Sequence, residues 1–106
     1  MKKHYSPKAK LVLLHWRDDD DLRSHVSRFT PHVSRCHVIA HTHIPSGAGF
    51  GSVSVIPHDA EAFARAIYAE LHRCDEAGAE LIVVEALPET PEWRAVADRL
   101  QRASAG

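Results

Sequence analysis

The sequence predicts a small Rossmann-like α/β/α sandwich built on a mostly parallel sheet. Three observations carry this. Short apolar runs alternate along the chain with stretches of helical period. The runs are mainly continuous rather than alternating, as in strands covered on both faces. Proline and glycine separate them, at Thr30-Pro31, at Gly47, Gly49 and Gly51, at Gly78, and at Pro88 and Pro91. Strand–helix alternation of this kind gives a parallel sheet with helices packed on it.

Taken in order, residues 1–10 are basic and contain Pro7, which reads as an extended arm ahead of a single domain over 11–106. Leu11-Val12-Leu13-Leu14 reads as a first strand buried on both faces. The acidic run at 18–21 suits a helix cap and first turn, where carboxylates meet the positive end of the dipole. That helix would carry Leu22, Val26 and Phe29 inward, and Thr30-Pro31 would stop it. Residues 36–40 form a second strand, followed by the loop Ser46-Gly47-Ala48-Gly49-Phe50-Gly51. Val53 and Val55, alternating with Ser52 and Ser54, suggest a third strand near an edge.

The strongest helical pattern begins near Asp59. Ala60, Phe63, Ala64, Ile67, Tyr68 and Leu71 share one face, with Asp59 or His58 as cap and Gly78 as the C-terminal stop. Leu81-Ile82-Val83-Val84 is the most strongly marked buried strand, ending at Glu85. A last helix from about residue 91 or 92 to 102 would bury Trp93, Val96, Ala97 and Leu100.

Composition narrows function mainly by exclusion. The 106-residue chain is 44% hydrophobic and 25% charged, with a net charge of −1. It lacks the basic excess of a non-specific nucleic-acid binder, so no direct DNA partner is expected. No run reaches the ~18 apolar residues of a membrane span. Cys36 and Cys74 lie far apart without metal spacing, so a soluble cytoplasmic protein is expected. Nine histidines are scattered rather than clustered in a tract.

Three segments resemble a known family. Lys3-His4-Tyr5-Ser6-Pro7-Lys8-Ala9 resembles the linker of two-domain threonylcarbamoyl-AMP synthases, where an HYxP-type element precedes the C-terminal domain. Ala66-Ile67-Tyr68-Ala69-Glu70-Leu71, then Asp75, Gly78 and Leu81-Ile82-Val83-Val84-Glu85, resembles that domain's long helix and following strand. Asp98-Arg99-Leu100-Gln101-Arg102-Ala103 is similar to its terminal helix. Three departures accompany the resemblance. Glu89-Thr90-Pro91-Glu92-Trp93 replaces a frequent glycine-rich turn, Asp98 stands for a frequent asparagine, and His72 for a usual arginine.

In that family a separate catalytic domain makes threonylcarbamoyl-AMP from threonine, bicarbonate and ATP, for modification of adenosine 37 in tRNA. The resemblance therefore implies an accessory or regulatory domain without activity or intrinsic cofactor of its own. It would serve a catalytic domain in trans, as a separate gene product or an excised domain. Lys3, His4 and Tyr5 are then the positions that would reach the partner's nucleotide site. Asp75, Arg99 and Glu85 are further candidates, each with a structural alternative: an ion pair for the first two, a helix cap for Glu85.

A rival reading makes the chain a stand-alone nucleotide- or metabolite-binding domain. Ser46, Gly47, Gly49 and Gly51 would offer backbone amides to the phosphates of ATP or AMP, at a loop beyond the C-terminal ends of the strands. The loop departs from the dinucleotide fingerprint because it leads into a strand, and no Walker lysine follows Gly51. A third reading is a module that self-associates. His41 and His43 could share a metal with His37, His58 or Asp59 on a strand face. Two ligands do not make a site, so solvated loop histidines and no metal are expected.

Overall fold

A computed structural model describes residues 7–105. Four strands, β1 (Lys10–Leu14), β2 (Cys36–Ala40), β3 (Ser52–Val55) and β4 (Leu81–Glu85), form one sheet in the order β1-β4-β2-β3, with every pairing parallel. Three α-helices, α1 (Asp19–Val26), α2 (Ala60–Glu76) and α3 (Arg94–Ala105), cover it. Helix α1 packs on one face through Leu22 and Val26, with Trp16, Val38 and Val83. Helices α2 and α3 pack on the other through Phe63, Ile67, Leu71 and Leu100, against Ile39, Ile82 and Val84. The sheet thus sits between two helical layers. This is the small α/β/α fold that the sequence pattern predicts.

The central strands are what their composition dictates. All five residues of β2 and of β4 are buried, so both faces need cover and neither strand alternates. Strand β1 differs from expectation. It is an edge strand, exposed at Lys10 and only half-buried over its last three residues. An apolar run cannot distinguish a central strand from an edge strand whose helical cover is partial. Strand β3 is the opposite edge, as its alternation suggests, but Val55 is exposed and only Val53 reaches the core.

Helix ends show their causes. Asp18 caps α1 by accepting from the Asp21 amide at 2.8 Å. The helix stops at Val26, and Phe29 is 41% exposed instead of turned inward. Three carboxylates in the first turn favour that helix, but only two of its residues are buried to hold it. At α2, Asp59 caps by accepting from Ala62 N at 2.9 Å, and Gly78 takes φ +85° beyond the last turn. There Ala79 N donates to Cys74 O and Gly78 N to Asp75 O, the paired bonds of a glycine-terminated helix. Asp59→Ala should cost about 1 kcal/mol, readable as a lower urea midpoint with unchanged slope. Before α3, Pro91–Trp93 forms a 3₁₀ turn, so the α-helix starts at Arg94 and continues past residue 102 to Ala105.

Cys36 and Cys74 are free and buried, and burial pushes their thiols up to about 12 and about 11. Both behave as small apolar side chains.

Candidate functional site

Parallel strands bring the ends of β2 and β4 to one rim of the sheet, where open α/β folds bind ligands. Glu85 is the last residue of β4 and only 2% exposed. Its carboxylate accepts from the amides of His41 and Thr42, each at 2.9 Å, and from His43 N at 3.2 and 3.1 Å. His43 Nδ1 adds a fourth donor at 2.7 Å. Burial alone would raise this carboxyl. The three amides and the imidazole outweigh it and hold Glu85 down at about 2. Glu85 therefore anchors the loop that leaves β2, and the alternative of a helix cap is corrected: its partners are loop amides.

The same bonds orient the histidines. An ionised carboxylate only accepts, so His43 carries its proton on Nδ1 and turns Nε2 outward on a ring that is 43% exposed. The His15 ring stands edge-on to it, with centroids 5.8 Å apart. Trp16 Nε1 donates to the His43 carbonyl at 2.8 Å, tying the turn after β1 to the same loop. The His41 side chain is buried on the opposite side of the rim, where Nε2 donates to Ala86 O at 2.9 Å. Its Nδ1 lies 2.8 Å from Thr42 Oγ1 and 3.0 Å from His58 Nδ1, and Thr42 Oγ1 is 2.9 Å from that same His58 nitrogen. His58 and Phe63 each pack against the Trp93 ring at 5.4 Å. The rim is thus a polar network on one side and an imidazole–indole stack on the other.

Among the described residues, no group of three or more histidine, cysteine, aspartate or glutamate side chains is placed to hold a metal ion. His37 is far from the others in the fold. It sits near the start of β2, paired with Ser52 Oγ at 2.6 Å, and burial followed by the nearby Arg73 charge lowers its proton affinity.

The glycine loop is not where the sequence suggested. Because β2 and β3 are parallel, residues 41–51 must return the whole length of the sheet. They do so without a helix, held along α1. Asp19 accepts from Ser46 N, Arg23 donates to Ala48 O, and the Arg23 guanidinium covers the Phe50 ring at 4.7 Å. Gly51 N donates to Cys36 O at 2.8 Å, so the loop ends at the N-terminal edge of the sheet and not beyond the strands' C-terminal ends. Gly47 and Gly49 take φ +89° and +86°, while Phe50 N donates back to Gly47 O.

The remaining candidates are dispersed. Asp75, near the end of α2, accepts from Lys8 N at 3.0 Å and Ala9 N at 3.1 Å, so it clamps the chain as it enters β1. Arg99 lines a groove of about 570 Å³ between the start of α2 and the 3₁₀ turn before α3. A second groove of about 380 Å³ runs between the ends of β1 and β4 and α3, beside Leu13, Leu87, Thr90 and Arg94. Lys3, His4 and Tyr5 lie outside the described residues. The sequence offered His58 as a helix cap or as a metal ligand shared with His41, but not its hydrogen bonds to His41 and Thr42 or its packing on Trp93. The β3–α2 turn brings His58 to His41.

Fold and rim together define a small parallel α/β/α domain whose polar groups meet at the carboxyl ends of its central strands. The family comparison is more specific. The chain belongs to the family described as "Threonylcarbamoyl-AMP synthase, C-terminal domain", whose model matches residues 1–105. No curated protein and no solved structure matches it. Among the described residues, no helix is long and apolar enough to cross a membrane.

Proposed function

We propose that this domain is a non-catalytic accessory domain of threonylcarbamoyl-AMP synthesis, acting on a catalytic synthase domain and so supporting threonylcarbamoyl modification of tRNA. The family match over residues 1–105 carries the reading. Two features of the chain give it a physical form. The segment holding Lys3, His4 and Tyr5 resembles the family's linker element, and the chain enters the fold at Lys8 and Ala9. Those two amides are fixed by Asp75, so the arm departs from a set point on α2. A fixed departure point reduces the ordering cost when the arm engages a partner.

The alternative is binding of ATP or AMP at residues 46–51. It has less support, because the Ser46, Phe50 and Gly51 amides already have acceptors, and the Asp19 carboxylate occupies the place of an anion.

The test is pyrophosphate release from ATP with threonine and bicarbonate. This chain alone, a catalytic synthase domain alone, and the two mixed are compared. Activity of the mixture well above the sum is expected. Deletion of residues 1–7 should remove the gain while leaving the thermal midpoint nearly unchanged. Asp75→Ala should weaken the gain by loosening the arm's root. A mixture equal to the sum would refute the accessory role, and an unchanged gain after the deletion would refute the arm's part in it.

A further inference from the structure

Four grouped features remain unused by this reading: the imidazole rim, the His37–Ser52–Arg73 cluster, the groove along β1 and α3, and the groove at the start of α2. In the first two, hydrogen bonds already join the polar side chains to one another. The β1–α3 groove has mixed charge and no distinctive donor.

The groove at the start of α2 is different. Its floor is apolar, formed by Ala60 and Ala64 of α2 with Trp93 and Val96 opposite. Its rim is acidic, with Asp59 and Glu61 on one side and Glu92 on the other, against a single cation, Arg99. Glu61 has only a loose partner, Arg65 at 3.7 Å, and both side chains are at least 70% exposed. Glu92 makes no ion pair among the described residues. In a chain of net charge −1, this concentrates negative charge at one concave place.

Trp93 supplies the second observation. Its indole is wedged against Phe63 and His58, both at 5.4 Å, and the residue is only 4% exposed. Its Nε1–H nevertheless has no acceptor among the described residues, whereas that of Trp16 donates to a carbonyl. No buried side-chain nitrogen or oxygen among the described residues lacks a partner. The small exposed part of Trp93, a residue that lines the groove, therefore includes its N–H. A rigid indole with its body buried and its donor at the surface is a typical interface anchor.

We propose that this groove is a docking site for a basic polypeptide segment. A backbone carbonyl of the segment accepts from Trp93 Nε1–H, and a lysine or arginine lies among Asp59, Glu61 and Glu92. The occupant is assigned by charge complementarity, and a polypeptide supplies both the carbonyl and the cation in one extended strand. Resting on the reading above, the segment belongs to the catalytic synthase domain. The groove then holds the partner while the arm, rooted at the other end of α2, reaches its nucleotide site. The two contacts are separated by the 17 residues of that helix, about 25 Å at 1.5 Å per residue.

Two measurements test this. Titration of the catalytic domain into the full chain by calorimetry gives an affinity, which should fall at least tenfold in the Glu61→Lys/Glu92→Lys double variant and also fall with added salt. Separately, the Trp93 indole N–H resonance, assigned through Trp93→Phe, is followed as an acetylated Ala-Lys-Ala-Lys-Ala-Ala amide peptide is added. It should shift with the lysine peptide and not with the same peptide carrying glutamates. The exposed charge reversals should leave the circular dichroism and thermal midpoint near wild type. If the catalytic domain binds but neither the double variant nor the peptide matters, the groove proposal is overturned and the accessory reading stands. If the peptide shifts Trp93 but the catalytic domain does not bind, the groove accepts a basic segment and its assignment to a synthase falls. Failure of both removes both.

Discussion

Glu85→Ala should lose about 3–4 kcal/mol of stability at neutral pH. Four donors converge on this carboxylate, and a methyl group leaves them facing a hole. The same magnitude follows from linkage. The carboxyl is held at about 2 against an ordinary 4.5, and each pH unit of separation is worth about 1.36 kcal/mol. For a small domain with a total stability of ~5–15 kcal/mol, that is a large share. The sign is fixed by the direction of the change. Because the folded value is depressed, the contribution is fully present above 4.5 and is lost as pH falls from 4.5 toward 2.

Urea unfolding at pH 7, 4 and 2.5 separates this effect from others. Wild type should lose stability steeply below pH 4.5, and Glu85→Ala should show a much shallower acid decline from a lower starting point. Glu85→Gln should fall between them, retaining one acceptor oxygen without the charge. Asp19, Asp21 and Glu80 are also lowered, by hydrogen bonds to Ser46, to Arg17 and to Thr30. They lie at the surface, where such contributions are screened and small. His37 acts in a separate window. Its folded form resists protonation, so its cost appears as pH falls below 6.5. An acid profile in Glu85→Ala as steep as in wild type would show that the loop amides do not depend on this carboxylate.

The same residue shows how far the sequence could be read. That Glu85 ends a buried strand follows from Leu81-Ile82-Val83-Val84, because a continuous apolar run has no wet face. What it binds does not follow. Its partners lie more than forty residues back, and they reach it only because β2 and β4 pair in parallel register. Local signals worked well where the cause was local, as with the caps Asp18 and Asp59 and the stop at Gly78. They failed where cover came from afar. Leu11-Val12-Leu13-Leu14 looks central yet forms an edge, and Phe29 follows the helical spacing of Leu22 and Val26 although the helix has already ended. The arm's root depends on a similar long-range contact, between Asp75 and the Lys8 and Ala9 amides. The sequence singled out Asp75 but could not assign its partners.

Gly51→Ala should be the most damaging substitution in the glycine loop, for a reason unrelated to phosphate. Gly51 is not among the residues with positive φ; its constraint is space. A Cβ there would lie 2.6 Å from His37 Nε2 and 2.7 Å from the Ser34 carbonyl oxygen. The imidazole is held by Ser52 and is largely buried, and the carbonyl is backbone, so neither yields cheaply. Gly51 N also donates to Cys36 O, which fixes the glycine against β2. The cost should reach the upper end of overpacking penalties, about 3 kcal/mol, or roughly 12–24 °C in the thermal midpoint of a domain this size. Gly78→Ala provides the contrast. Its φ of +85° carries strain, but no atom lies within 4 Å of the new methyl, so about 1–2 kcal/mol is expected. Gly49→Ala belongs with Gly78, since the atom nearest its Cβ is the movable end of Arg23 at 3.4 Å. The order Gly51 well ahead of Gly49 and Gly78 in differential scanning calorimetry would mark residue 51 as the point where the return segment is pressed against the sheet. Equal losses at all three would mean that backbone conformation alone selects these glycines, and that Ser34 and His37 can move aside.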